Sequence, residues 1–301
     1  MTDIRHCSVL DTEIESLLAD GYRIDMIMPA DAPREVQLSK NENVVRLILS
    51  RGGVEELPAN GGTPNEWVAG RAGMMYRDLI PGRLGGKLIA SHIRLTEGGP
   101  VPDYVHYHKI DFQLIYCLRG RIKVVYEDQG PPFWLGPGDC VLQPAEIRHR
   151  VLECEAGSEV LELSSPAAHE TWVEHDITLP TLEIETGRVF SGQRFVLSVA
   201  KDAEWQPTQT DGVELRDTGT FAATNGLLDI TVRRTAHPES ISAFSPRSGM
   251  TALGFVVAGK ARTHANGSSS PIVVVDSSPS TLTEILRIEF RDGASIRLAD
   301  H

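Results

Sequence analysis

The chain has 301 residues, 41% of them hydrophobic, enough to bury a real core in one large domain or two ordinary ones. Acidic residues outnumber basic ones 41 to 29, the formal charge is −12, and no basic stripe exists to release counterions from a phosphate backbone, so nucleic acid is not an expected partner. No run approaches about 18 consecutive apolar residues, so no membrane partner or membrane-spanning helix is expected.

The opening stretch, MTDIRHCSVLDTEIESLLADGYRI, is polar and acidic, without the cationic start and apolar block of a signal peptide. Cys7, Cys117, Cys140 and Cys154 are scattered without Cys-x-x-Cys spacing, which fits reduced, mostly buried thiols in a cytoplasmic protein. Over residues 11–28, Ile14, Leu17, Leu18 and Tyr22 recur at helical spacing and the pattern ends near Gly21, predicting a short amphipathic helix. Leu57–Thr63, LPANGGT, reads as a loop, and residues 1–65 as an N-terminal cap. In GRAGMMYRDL, Tyr76 and Arg77 read as loop residues with solvated charge, a flap or arm being the alternative.

From about residue 70 the pattern changes. The runs KLIASHIRL, FQLIYCLRG, RIKVVYEDQG, PFWLGPGDC, CVLQP, RHRVLEC and SEVLELSS are each broken by a turn signal. A spacing of about ten residues per run predicts an all-β sandwich or barrel. The rhythm returns after residue 190 in LLDITVRRT, TALGFVVAGKARTH, PIVVVD and TEILRIEF. Setting Gly120 against Gly259, 139 residues apart, pairs FQLIYCLRG with TALGFVVAG and places NGSSSP (Asn266–Pro271) where EDQGPP falls. The reading is a diverged internal duplication; an unrelated β domain is the alternative.

The chemistry concentrates in YVHYHKIDFQ, residues 104–113. On a strand, alternate side chains share a face, so His106 and His108 point the same way. They are either ligands of one metal ion or histidines packed in a barrel wall. Gln113 follows, then Gly120, and a second cluster gathers Gly138, Asp139, Pro144 and His149. His92 and Arg94 share one face of a preceding strand and are candidates to bind a substrate carboxylate, with the outer face as the equal alternative. Tyr104 has the parity of His106 and is a candidate acid–base group. Arg148 and Arg150 flank His149 with the opposite parity, which suits a solvated or interface role. His169 and His175, in HETWVEH, miss the His-Glu-x-x-His spacing and read as surface or connector residues. No phosphate loop, nucleophile elbow or cysteine quartet is present in the sequence.

These two clusters resemble the paired motifs of the cupin superfamily. The first, G-x5-H-x-H-x4-E-x6-G, is matched at His106, His108 and Gly120, with Pro100 in the leading glycine's place and Gln113 replacing the glutamate. The second, G-x5-P-x-G-x2-H-x3-N, is matched at Gly138, Pro144 and His149, while Glu146 and Glu153 replace its later glycine and asparagine. The resemblance implies two jelly-roll barrels of cupin type: a metal-binding barrel over 66–180 and a degenerate one over 181–301, in which Ser245, Arg247 and Ala252 take the ligand positions. It implies one divalent ion on His106, His108 and His149, with Gln113 as a fourth ligand or as a wall residue hydrogen-bonding beside it, iron(II) first, with Ni, Mn, Zn or Cu as alternatives. Glutamine brings no charge to the ion, so the site should favour anionic chelators. Similar family members include dioxygenases with three histidines and sugar-acid isomerases with a glutamine here. The resemblance therefore implies a dioxygenase of a small enolisable substrate, with an isomerase or a non-catalytic binding barrel as alternatives, and a homodimer as the assembly.

Overall fold

The computed structural model describes residues 2–30, 33–50, 66–70, 73–80, 82–237, 247–259, 272–278 and 280–291. The LPANGGT and NGSSSP loops and Ser245 lie outside these residues. The chain is all-β with short helices. Each of the seven runs of the first half contains a strand: Ile89–Leu95, Phe112–Arg119, Ile122–Tyr126, Phe133–Leu135, Cys140–Gln143, His149–Cys154 and Ser158–Ser165.

Two sheets form the N-terminal barrel. The first carries, side by side, Thr171–Val173, His106–His108, His149–Cys154, Ile122–Tyr126 and Phe133–Leu135. The second runs Cys140–Gln143, Phe112–Arg119, Ser158–Ser165, Ile89–Leu95 and Met74–Asp78. Between them lies a mostly apolar core that includes Ile93, Leu95, Cys117, Val124, Val141, Ile147 and Val160. Tyr76 and Arg77 belong to this second sheet rather than to a loop.

The N-terminal cap contains the expected helix, at Leu10–Ala19, which ends before Gly21 with its left-handed φ of 85°. It also contains strands Thr2–Cys7, Arg23–Met28, Glu35–Lys40 and Asn43–Leu49. Arg23–Met28 pairs with Thr171–Val173, so the cap continues the first barrel sheet.

The C-terminal half contributes a six-stranded sheet in the order Gln206–Pro207, Val213–Asp217, Leu228–Thr235, Thr283–Arg291, Met250–Ala258, Ile272–Ser278. Its central run repeats the order of the second barrel sheet, Met74–Asp78, Ile89–Leu95, Ser158–Ser165, Phe112–Arg119. The two sheets pack face to face: Phe112, Leu114, Leu142, Leu161 and Leu163 share one buried cluster with Leu228, Ile230, Leu253, Phe255, Leu286, Ile288 and Phe290. Burying a side chain of this size contributes about 1.5–3 kcal/mol, so this seam is a main source of stability.

All four cysteines are free thiols, three of them buried. Burial pushes the Cys117 thiol up to about 12 and Cys140 up to about 11, which leaves both unreactive near neutrality. Among the described residues no helix is long and apolar enough to cross a membrane.

Gly120 and Gly259 close equivalent turns, with φ of 65° and 76°. A Cβ on Gly120 would lie 2.9 Å from Ser158 Cα, and one on Gly259 would lie 2.4 Å from the Leu282 carbonyl oxygen. Gly157 has a similar φ of 73° but nothing within 4 Å of a Cβ. Gly120→Ala should therefore cost about 2–3 kcal/mol in urea unfolding and Gly157→Ala only about 1 kcal/mol; equal losses would contradict the steric account.

Candidate metal centre

The three histidines arrive from two adjacent strands. His106 stands directly opposite His149 across the antiparallel pair, and His108, two residues along the same strand, shares the face of His106. All three are buried, and their candidate ligand atoms lie within 4.8 Å of one another. Ring centroids are 4.2 Å apart for His106 and His149, 5.1 Å for His106 and His108, and 5.2 Å for His108 and His149.

Outer contacts orient the rings. His106 Nδ1 donates to the Tyr104 carbonyl at 2.8 Å and His149 Nδ1 donates to the Ile147 carbonyl at 2.9 Å. Donation from Nδ1 leaves Nε2 as the lone-pair atom, the form a metal requires. His108 Nδ1 is 2.9 Å from Thr171 Oγ1, and Thr171 stands opposite His108 in the ladder. Glu146 occupies the motif's glycine position with a left-handed φ of 64°, and its N–H donates to the His108 carbonyl at 3.0 Å. The strained corner thus ties the loop before His149 to the strand of His108.

Gln113 lines the same cavity at 2% exposure, and its Oε1 is buried without a hydrogen-bond partner. An orphaned buried amide oxygen costs about 1–3 kcal/mol unless something accepts its lone pair. Three imidazoles and one amide oxygen suit a divalent cation, so the residues present fit the ion that the motifs imply.

The cavity wall around the cluster is largely apolar, with Met74, Ile93, Ile115, Val124, Val151 and Val160 among its residues. Its polar members include Ser91, Tyr126, Gln143, Glu162 and His169. Tyr126 is buried beside His149, with the rings stacked at 5.8 Å, and burial pushes its phenol upward, so it stays a neutral donor.

Several sequence expectations change here. His92 and Arg94 face away from the cavity, because Ile89, Ser91, Ile93 and Leu95 take the inward positions of their strand. His92 Nε2 meets Glu159 at 2.8 Å and its Nδ1 meets Arg77 at 2.8 Å, while Arg94 pairs with Glu159 at 3.1 Å and covers Trp67. Burial, ahead of any charge, holds the His92 imidazole below its usual range. They form a buttress on the face opposite the cavity, the outer-face alternative for this strand. Tyr104 does not line the cavity; its carbonyl orients His106, and the phenols in the wall are Tyr76 and Tyr126.

His169 is not a surface residue: it is buried, lines the cavity and sits 5.3 Å from His108, ring to ring. His175 remains a connector, 3.0 Å from the Ile24 carbonyl. Arg148 faces outward to Glu174 at 3.1 Å, whereas Arg150 joins the cavity lining. Glu162 and Tyr126 carried a readable signal, since each has inward parity on a strand visible in the sequence.

The model of the cupin domain matches residues 91–163, the stretch that holds all three histidines and Gln113. The chain carries a cupin domain. Among solved structures, a single-substitution variant of Bacillus subtilis oxalate decarboxylase aligns at 14% identity over 73% of this chain and 72% of that one, with a TM-score of 0.48. A two-residue deletion variant of the same enzyme aligns at 14% identity over 81% and 79%, with a TM-score of 0.49. A structure of it with Mn(II) centres aligns at 12% identity over 73% and 72%, with a TM-score of 0.47. No curated protein matches the chain in sequence.

Metal analysis of this cupin, after loading, should find about one divalent ion per chain, and His106→Ala should abolish it. Thr171→Val should weaken metal affinity about 10–100-fold by releasing the His108 ring; undiminished affinity would remove Thr171 from the site.

Proposed function

We propose that this cupin is a metal-dependent dioxygenase that cleaves a small, anionic, enolisable substrate such as a β-diketone. The observation that carries the reading is a ligand set without charge at the bottom of a mainly apolar cavity. His106, His108, His149 and Gln113 would hold the ion and leave its positive charge unreduced for an enolate. An ion there would polarise the bound enolate, and a redox-active one, iron(II) first, would let O2 react with it.

The chain's own residues do the rest. Glu162 accepts the proton lost when the diketone enolises. Tyr126, held neutral by burial, donates a hydrogen bond to a substrate oxygen. Ile93, Ile115, Val124 and Val160 exclude water and pack the apolar body. Both atoms of O2 end in the products, a carboxylic acid and an α-keto aldehyde for a simple β-diketone, so no external reductant is consumed. The reading includes a homodimer, which sedimentation checks.

Metal-loaded protein should consume O2 with a β-diketone or an enolisable aromatic ketone, and Glu162→Gln should lower kcat without loss of metal. Absence of O2 uptake, together with an ultraviolet change on unsaturated sugar acids, would replace this reading with the isomerase. Gln113→Glu should weaken binding of an anionic chelator by tenfold or more, read by titration calorimetry; unchanged or tighter binding would contradict the charge argument.

A further inference from the structure

The cavity wall contains a buried amide that takes no part in holding the ion. Gln143 is 2% exposed and lines the cavity directly opposite Gln113 in the antiparallel ladder. Its neighbour Leu142 fills the apolar seam with the C-terminal sheet, so strand alternation turns Gln143 inward. Tyr126 is equally buried and lines the same cavity. Among the described residues neither the Gln143 amide nor the Tyr126 hydroxyl makes a hydrogen bond, to each other or to any other group. Buried polar groups in native proteins are almost always partnered, so two such groups in one cavity point to a ligand.

The two groups flank the candidate ion on the same side. Tyr126 stands opposite His149 in one sheet, as Gln143 stands opposite Gln113 in the other. Beyond the strand of Tyr126 lies Phe133–Leu135, and residues 136–139 turn the chain from there directly into Cys140–Gln143. The strand next beyond, Val196–Ser198, pairs Val196 with Leu142, which sets Phe195 level with Gln143. The Phe195 ring lies 4.6 Å from that of Tyr126. Aromatic rings thus close this flank, while an amide and a phenol face the cavity beside the positions of His149 and Gln113. Glu162 stands on the other side of Gln113, on Ser158–Ser165.

We propose that Gln143 and Tyr126 form a subsite for a neutral substrate oxygen that does not touch the metal, so that the substrate carries a third oxygen function, a carbonyl or a hydroxyl, next to its enolate chelate. The subsite rests on the reading of an enolate held by the ion and narrows it from a simple β-diketone to a more highly oxygenated compound. The amide N–H and the phenol O–H both donate, and neither brings charge. They suit a carbonyl or hydroxyl oxygen, whereas an ionised carboxylate set between them would be desolvated without gaining a cation from either. A site built to hydrogen-bond a substrate oxygen rejects an analogue that lacks it, because buried donors are then left without an acceptor.

The test is titration calorimetry on the full chain loaded with Zn(II), which binds enolates without redox chemistry. The ligands are acetylacetone and diacetylacetone, its linear triketone counterpart. Wild type should bind diacetylacetone about tenfold more tightly than acetylacetone. Gln143→Met and Tyr126→Phe should each remove most of that preference while one Zn(II) per chain stays bound. Tyr126→Phe keeps the ring packing and tests the subsite even where Gln143→Met unfolds. A preference that survives both substitutions would overturn the proposal. So would equal weakening of the two ligands, or loss of Zn(II), in folded Gln143→Met, since either would mark Gln143 as a support for Gln113. Acetylacetone binding without a preference for the triketone in wild type sinks the subsite and leaves the enolate reading standing, whereas binding of neither ligand overturns both.

Discussion

The candidate centre depends on one constraint of β structure: residues two apart on a strand share a face, and a directly opposed residue on the neighbour shares it too. His106, His108 and His149 satisfy both conditions, so the pleat and the register alone bring three imidazoles together. The outer contacts refine what the pleat imposes. Two of them, the Tyr104 and Ile147 carbonyls, belong to backbone two residues before the ring they hold, so a short stretch of chain supplies both ligand and support.

This explains which features were legible in the sequence. The His-x-His pair, the spacing to Gly120 and the Pro144–His149 interval are local, and the strands that bear them are bounded by clear turns. The face of the Ile89–Leu95 strand was not legible, because six of its seven residues are buried and no polar–apolar contrast marks the inside. His92 is buried on the outer face by Trp67, Arg77 and Glu159, partners that only the pairing of three strands assembles. His169 enters the cavity from the segment between strands Ser158–Ser165 and Thr171–Val173, where no periodicity predicts direction. The cap strands were legible in part: Asn41 closes the hairpin between Glu35–Lys40 and Asn43–Leu49 with a φ of 55°, a conformation that asparagine tolerates.

The two modules show what a shared framework preserves. Strand order, register, the left-handed turn at Gly120 and Gly259 and the apolar outward face recur, all of which serve packing. The inward positions diverge, since nothing in the seam depends on them. Three buried histidines and Gln113 face one interior, whereas Asp229, Arg287 and Glu289 stand on the inward face of the other, within one backbone plan.

The strand Thr171–Val173 sits between His106–His108 on one side and the cap strand Arg23–Met28 on the other. The hydroxyl beside His108 is therefore sewn to the first thirty residues of the chain. Trimming that segment, or fusing a bulky tag that pulls on it, would act on the imidazole from a distance, and the amino terminus works as a lever on the centre rather than as an ornament beside it.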